Sequence, residues 1–173
     1  MRTARIAVVA CAAATAALFA GTSLGVRLNA TPSMPLGLWI TVPGRAVDRG
    51  AIVLACLTGP GAKEGKARGY IGIGSCPGHR EPLVKPIAAV AGDLVTVTRH
   101  GISVNGEALP HTAQLAKDSA GRLLRGVEAG TYRVAPGTVW LVSGHDPRSY
   151  DSRYFGAVPI ASIRATARPL VVF

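Results

Sequence analysis

Thr31-Pro32-Ser33-Met34-Pro35 follows directly on the chain's one long apolar run. The two prolines and the Leu36-Gly37 pair break regular structure, so Ser33 belongs on a turn or at the entrance to a strand. A serine hydroxyl is a weak nucleophile at neutral pH and needs a base to take its proton. None of the four histidines sits in a fitting context, so the base is sought among the lysines. There are four: Lys63, Lys66, Lys85 and Lys117. Three lie in polar, glycine-rich or charged surroundings. Lys85 alone lies inside an apolar stretch, Pro82 to Val90, where burial would disfavour its charged form and lower its pKa. Ser33 and Lys85 therefore form a candidate Ser–Lys dyad.

The rest of the chain sets the context for that pair. Its 173 residues suit one domain. Residues 6 to 26 carry no charge, and at about 1.5 Å per residue they just span a bilayer core of about 30 Å. Arg2 and Arg5 precede the run, which keeps residues 1–5 cytoplasmic and sends residues 27–173 across the membrane. The run reads either as a retained transmembrane helix or as a cleaved signal segment with small residues near Ala20-Gly21. The catalytic part then stands in the periplasm, on a single-pass inner-membrane anchor if the run is kept.

The net charge of +10 comes mostly from fifteen arginines. They are scattered, aromatics are few, and no basic run or nucleic-acid motif occurs, which argues against nucleic-acid binding. Anionic lipid headgroups or an acidic partner fit the charge better. Cys11 falls in the apolar run. Cys56 and Cys76 fall beyond it, in what should be an oxidising compartment, and read as one disulfide closing a Gly-, Lys- and Arg-rich loop, against the alternative of two free core thiols. His79 near Cys76 gives no metal-ligand spacing, so no metal or cofactor is expected.

Short apolar segments bounded by Gly, Pro and Asp read as strands: 38–42, 51–56, 83–91, 94–98, 102–104, 132–134, 138–142 and 169–173. Asn105-Gly106 marks a tight hairpin. Residues 57–81 read as a long glycine-rich loop, 110–130 as a surface excursion, 143–155 as a functional loop and 158–165 as a short helix. Arg27 to Ala30 read as a polar link from the membrane. The pattern is mainly β, a folded sheet of partly barrel-like shape.

Four segments carry a resemblance to a known family. Thr31-Pro-Ser-Met-Pro35 is similar to the nucleophile motif of the signal peptidase I superfamily. Asp48-Arg-Gly-Ala-Ile-Val53 resembles the turn and strand that follow it. Lys85-Pro-Ile-Ala-Ala-Val-Ala-Gly-Asp93 resembles the motif of the general-base lysine. Ser149-Tyr-Asp-Ser-Arg-Tyr-Phe-Gly156 resembles the last motif, with Ser-x-Asp-Ser-Arg intact. All four occur in the family's order. The small size, Ser33-Met-Pro-Leu-Gly37, the cysteine pair before the lysine motif and Gly144-His-Asp-Pro-Arg-Ser149 look most like the TraF-type peptidases of conjugative transfer systems.

The resemblance implies a signal-peptidase-like β-sheet core behind one N-terminal transmembrane helix, and a membrane-bound serine endopeptidase. Ser33 would be the nucleophile and Lys85 the base. The Ser33 N–H and the Thr31 hydroxyl would bind the oxyanion, and Ser149 would orient Lys85 by a hydrogen bond. Asp151 and Arg153 would pair and shape the site, and Asp93 would be a structural turn residue. The implied substrate is a conjugative pilin precursor or another exported, membrane-bound protein, with head-to-tail cyclisation as one fate of the acyl-enzyme. A general signal peptidase is the alternative within enzymes, and a basic envelope scaffold of a pilus system the alternative outside them. His145 stands where typical signal peptidases carry Asp, and reads as a solvated loop residue.

Overall fold

The structure, a computed structural model, describes residues 25–44 and 47–173. The expected membrane segment, residues 6–26, lies outside them except for Gly25 and Val26. Among the described residues no helix is long and apolar enough to cross a membrane.

The elements follow in chain order. They are β1 (Val26–Asn29), β2 (Gly37–Pro43), β3 (Ile52–Ala55), α1 (Gly59–Ala67), β4 (Ile73–Cys76), β5 (Leu83–Ala89), β6 (Leu94–Thr98), β7 (Gly101–Val104), β8 (Glu107–Ala108), β9 (Gly130–Arg133), β10 (Thr138–Leu141), α2 (Ser152–Phe155), β11 (Val158–Pro159) and β12 (Ile163–Val172). A 3-10 turn, Ile160–Ser162, joins the last two. Two sheets form: a seven-stranded one in the order β1-β2-β12-β3-β5-β10-β11, and a four-stranded one in the order β8-β7-β6-β9. The fold is mainly β, as the spacing of apolar runs and turns predicts.

Three apolar clusters divide the interior. One face of the large sheet buries Val53, Leu83, Ile87, Leu141 and Ile163 against Ala62 of α1. The four-stranded sheet packs Val95, Val97, Ile102 and Val104 against Ala89 and Trp140. Trp39, Leu54, Ala165 and Ala167 gather with Met34 in a third cluster. Alternation along β5 buries Leu83, Lys85, Ile87 and Ala89 and leaves Val84, Pro86 and Ala88 less covered. Lys85 thus occupies a slot that the period of two reserves for core residues.

Several expectations need correction. Arg27 to Ala30 are not a linker: from Val26 on, the chain is an edge strand, paired with β2 through Val26 to Ile40 and Asn29 to Gly37. The supposed loop 57–81 contains α1 and β4. Its glycines hide the helix from propensity, yet two of them are packing requirements. A Cβ on Gly61 would lie 2.6 Å from Phe155, and one on Gly65 would lie 2.7 Å from Ile71 and 2.8 Å from Tyr150. Residues 158–165 do not form one helix: they split into β11, the 3-10 turn Ile160–Ser162 and the start of β12. Ile163 to Ala165 are drawn into this strand because β12 inserts between β2 and β3 and its backbone pairs on both edges. The Asn105-Gly106 hairpin is present, with φ of 51° and 88° as its turn type demands.

Cys56 and Cys76 form a disulfide with Cα atoms 5.4 Å apart. It ties the residue after β3 to the end of β4. Since β4 belongs to neither sheet, this bond and the bridges from Ile73 and Cys76 to Arg80 fasten it.

Candidate active site

The turn after β1 is built by Asn29, which is 8% exposed. Its amide Nδ2 donates to the carbonyls of Thr31, Met34 and Pro35 at 3.0, 3.1 and 2.9 Å. Its Oδ1 accepts from the Thr31 hydroxyl at 2.8 Å and from the Thr31 N–H at 3.3 Å. Proline cannot supply backbone donors at positions 32 and 35, so one side-chain amide takes over the work of turn hydrogen bonds. The Ser33 carbonyl is held separately: Ser143 Oγ donates to it at 2.5 Å.

Ser33 so placed meets Lys85. Lys85 Nζ lies 2.7 Å from Ser33 Oγ and 3.2 Å from the Val84 carbonyl. Lys85 is 3% exposed. Burial is the main cause that pushes its pKa down to about 8; the charge of Asp151 raises it and that of Arg153 lowers it. A lysine in this range has an appreciable neutral fraction near physiological pH and can accept a proton from a hydroxyl in contact with it.

The Ser149-to-Gly156 segment anchors this arrangement. Asp151 caps α2 by accepting from the Arg153 N–H. Its Oδ2 accepts from the Ser143 N–H at 3.1 Å, and the Ser152 hydroxyl accepts from the Leu141 N–H at 2.9 Å. Helix α2 is therefore stitched to the end of β10, from which Ser143 reaches Ser33. Arg153 pairs with Asp151 at 2.8 Å, both side chains being fully buried. Its remaining donors reach the carbonyls of His111, Pro147 and Ser149 at 3.1, 3.0 and 2.9 Å. One guanidinium thus fixes two loops, and full satisfaction of its donors makes burial of the charge tolerable.

The structure brings Ser33, Lys85, Thr31 and Ser149 to the lining of one groove of about 940 Å³. Asp151 and Arg153 lie behind it as a buried pair rather than a surface one. Two expected contacts are not made. Ser149 Oγ is buried with no hydrogen-bond partner among the described residues, so it does not bond to Lys85. The Thr31 hydroxyl spends its proton on Asn29. Asp93 is a turn residue: it accepts from the Val90 N–H at 2.8 Å and from Asn105 at 2.9 Å, and pairs with Arg49. His145 is solvent-exposed. Sequence reasoning missed Asn29 and Ser143. An Asx-turn two residues before Thr31 was a legible signal for the first; nothing local marks the second.

The family model of signal peptidases, peptidase S26, matches residues 1–172. The chain belongs to the signal peptidase S26 family. Within it, a plasmid transfer protein TraF of Escherichia coli is 37% identical over 154 residues, covering 88% of this chain and 86% of the relative. A conjugal transfer protein TraF of Agrobacterium tumefaciens (strain 15955) is 39% identical over 163 residues, covering 93% and 89%. The TraF-type resemblance read from the motifs is thereby borne out. Among solved structures, a signal peptidase I from Enterococcus faecalis V583 aligns at a TM-score of 0.40 and 20% identity, covering 70% of this chain and 97% of its own.

Proposed function

We propose that the protein is a membrane-anchored serine endopeptidase with a Ser33–Lys85 dyad, which processes a pilin precursor for conjugative DNA transfer. The contact of 2.7 Å between Ser33 Oγ and a buried Lys85 Nζ carries this reading. Neutral Lys85 takes the hydroxyl proton as Ser33 Oγ bonds to the substrate carbonyl carbon. The resulting ammonium returns the proton to the leaving amine as the peptide C–N bond breaks, and an acyl-Ser33 ester remains. Water then releases a carboxylate, or an amino terminus of the substrate forms a new amide. Lys85 removes a proton from either attacking group.

The oxyanion is bound by the Ser33 N–H and by Thr31 Oγ1, once the latter rotates away from Asn29. Loss of one such donor costs about 10²–10³ in rate. Ser149 Oγ stands ready to accept a hydrogen bond from the Lys85 ammonium once the Ser33 contact is broken, which gives its unpartnered hydroxyl a role. Residues 6–26, kept as a helix, hold the groove at the periplasmic face of the inner membrane, within reach of membrane-bound precursors. The conjugative role rests on the transfer proteins to which the chain is similar.

The test is co-expression with a candidate conjugative pilin precursor. Intact mass spectrometry would find the precursor shortened by the wild type and unprocessed with Ser33→Ala or Lys85→Ala, each variant accumulating normally. Full processing by both variants would leave only a scaffold role. Wild-type processing of unrelated exported proteins at equal rates would instead make it a general signal peptidase.

A further inference from the structure

We propose that Arg27 and Arg164 form an anion-binding subsite beside the groove, which reads an acidic side chain of the peptide substrate; this rests on the peptidase reading above. A cavity of about 400 Å³ is lined by Arg27, Thr41, Leu54, Ser75, Pro82 and Arg164, among others. All of these except Arg164 also line the groove that contains Ser33 and Lys85, so the two spaces are continuous. No carboxylate lines the cavity.

The cavity's positive charge is not balanced by a carboxylate of its own lining. All nine Asp and Glu residues of the chain fall among the described residues. Four are paired, with Arg49, Arg68, Arg122 and Arg153. Neither Arg27 nor Arg164 has an ion pair among the described residues. Two guanidinium groups at one concavity repel each other unless an anion joins them, and each presents a fork suited to a carboxylate. Four other arginines find their counter-charge within the chain, and the two at this cavity do not.

Its place along the strand identifies the source of the anion. Asn29 holds the Ser33 turn, and Arg27 precedes it by two residues, so the two side chains share a face of β1 about 7 Å apart. An extended substrate also presents every second side chain to one face. Its acidic residue then falls about two to four positions from the scissile bond. A lipid headgroup would meet the same arginines without any such dependence on sequence.

The experiment uses the full chain in detergent micelles and peptides spanning the processed bond, with Asp exchanged for Asn at each of the four positions on either side. We expect one position at which Asp raises kcat/KM about tenfold over Asn, the low end for a charge-assisted pair because both arginines are exposed. Arg27→Gln and Arg164→Gln should collapse that ratio towards one. Arg168→Gln, which removes the same charge outside the cavity, should preserve it. Ser33→Ala should bind the fluorescein-labelled Asp peptide about tenfold more tightly than its Asn counterpart, and lose that preference when combined with Arg27→Gln.

Cleavage with no position favouring Asp overturns the subsite and leaves the peptidase reading standing. Preferential binding by Ser33→Ala without cleavage by the wild type does the reverse. A dependence on both arginines seen only with phosphatidylglycerol vesicles assigns the cavity to lipid and overturns the substrate reading.

Discussion

Ser143 Oγ donates to the backbone carbonyl of Ser33 across 110 residues of sequence, at 2.5 Å. Because the Ser143 N–H is held in turn by Asp151, the last family motif reaches the first through one residue that belongs to neither. The chain Arg153–Asp151–Ser143–Ser33 holds the backbone, and Lys85 meets the side chain. Positioning and proton transfer are therefore carried by separate groups, and separate variants should affect them differently.

Proton transfer predicts a pH profile. Lys85 is active when neutral, so kcat/KM should fall about tenfold per unit as pH drops below about 8 and level off above it. A profile flat from pH 6 to 9 would exclude Lys85 as the base.

The same burial predicts a stability effect of opposite sense. Lys85 is held at about 8 against an ordinary 10.5, so the unfolded chain binds the proton more tightly. The protonated lysine then costs the fold about 3 kcal/mol below pH 8, and the cost fades as pH rises to 10.5. Lys85→Met should abolish processing yet raise the Tm at pH 7, by about 5–10 °C. The gain should vanish near pH 10.5. Calorimetry at both pH values decides it, and a lower Tm at pH 7 would count against the assignment.

Removing Asp151 should unfold rather than merely inactivate. Asp151→Leu leaves the Arg153 guanidinium buried without its counter-charge, a loss of about 3–5 kcal/mol. Urea titration should show it, with activity lost in step with the folded fraction.

Asn29→Ala should act on geometry. It strips the support from three carbonyls and from the Thr31 hydroxyl. A fall of about 10–100-fold in kcat is expected from misplacing the nucleophile, while the pH midpoint set by Lys85 stays near 8. A shift of the midpoint as large as a full unit would mean that Asn29 acts on Lys85 instead.

The Cys56–Cys76 bond closes a separation of 20 residues, worth about 3 kcal/mol by loop entropy. Since Gly74 and Ser75 line the groove, reduction should also raise KM. Thiol labelling, slow without reductant and rapid after it, checks the bond; denaturation with and without reductant checks its worth.

Strands β2, β3, β5, β6, β7 and β10 were legible because alternation of apolar residues and Gly, Pro or Asp punctuation are local signals. The Ser33 turn and Lys85 were legible for a chemical reason: a serine between prolines and a lysine among aliphatics are costly unless used. Helix α1 was not, since Gly59, Gly61 and Gly65 lower helix propensity and the need for two of them lies in Phe155, Ile71 and Tyr150. Nor was the first part of β12, whose residues Ile163 to Ala165 read equally well as a helical turn until β2 and β3 supply partners on both sides, although its end at 169–172 was read as a strand.

By itself, the sequence determined which groups could do chemistry and in what family order they come, because residue type and local spacing set nucleophilicity, turn geometry and burial tendency. Only the tertiary structure decided that Lys85 stands against Ser33, that Ser143 holds the Ser33 carbonyl while Ser149 makes no hydrogen bond to Lys85, and that Thr31 is turned towards Asn29. Those choices depend on where distant backbones cross, and a hydrogen bond is won or lost over less than an ångström.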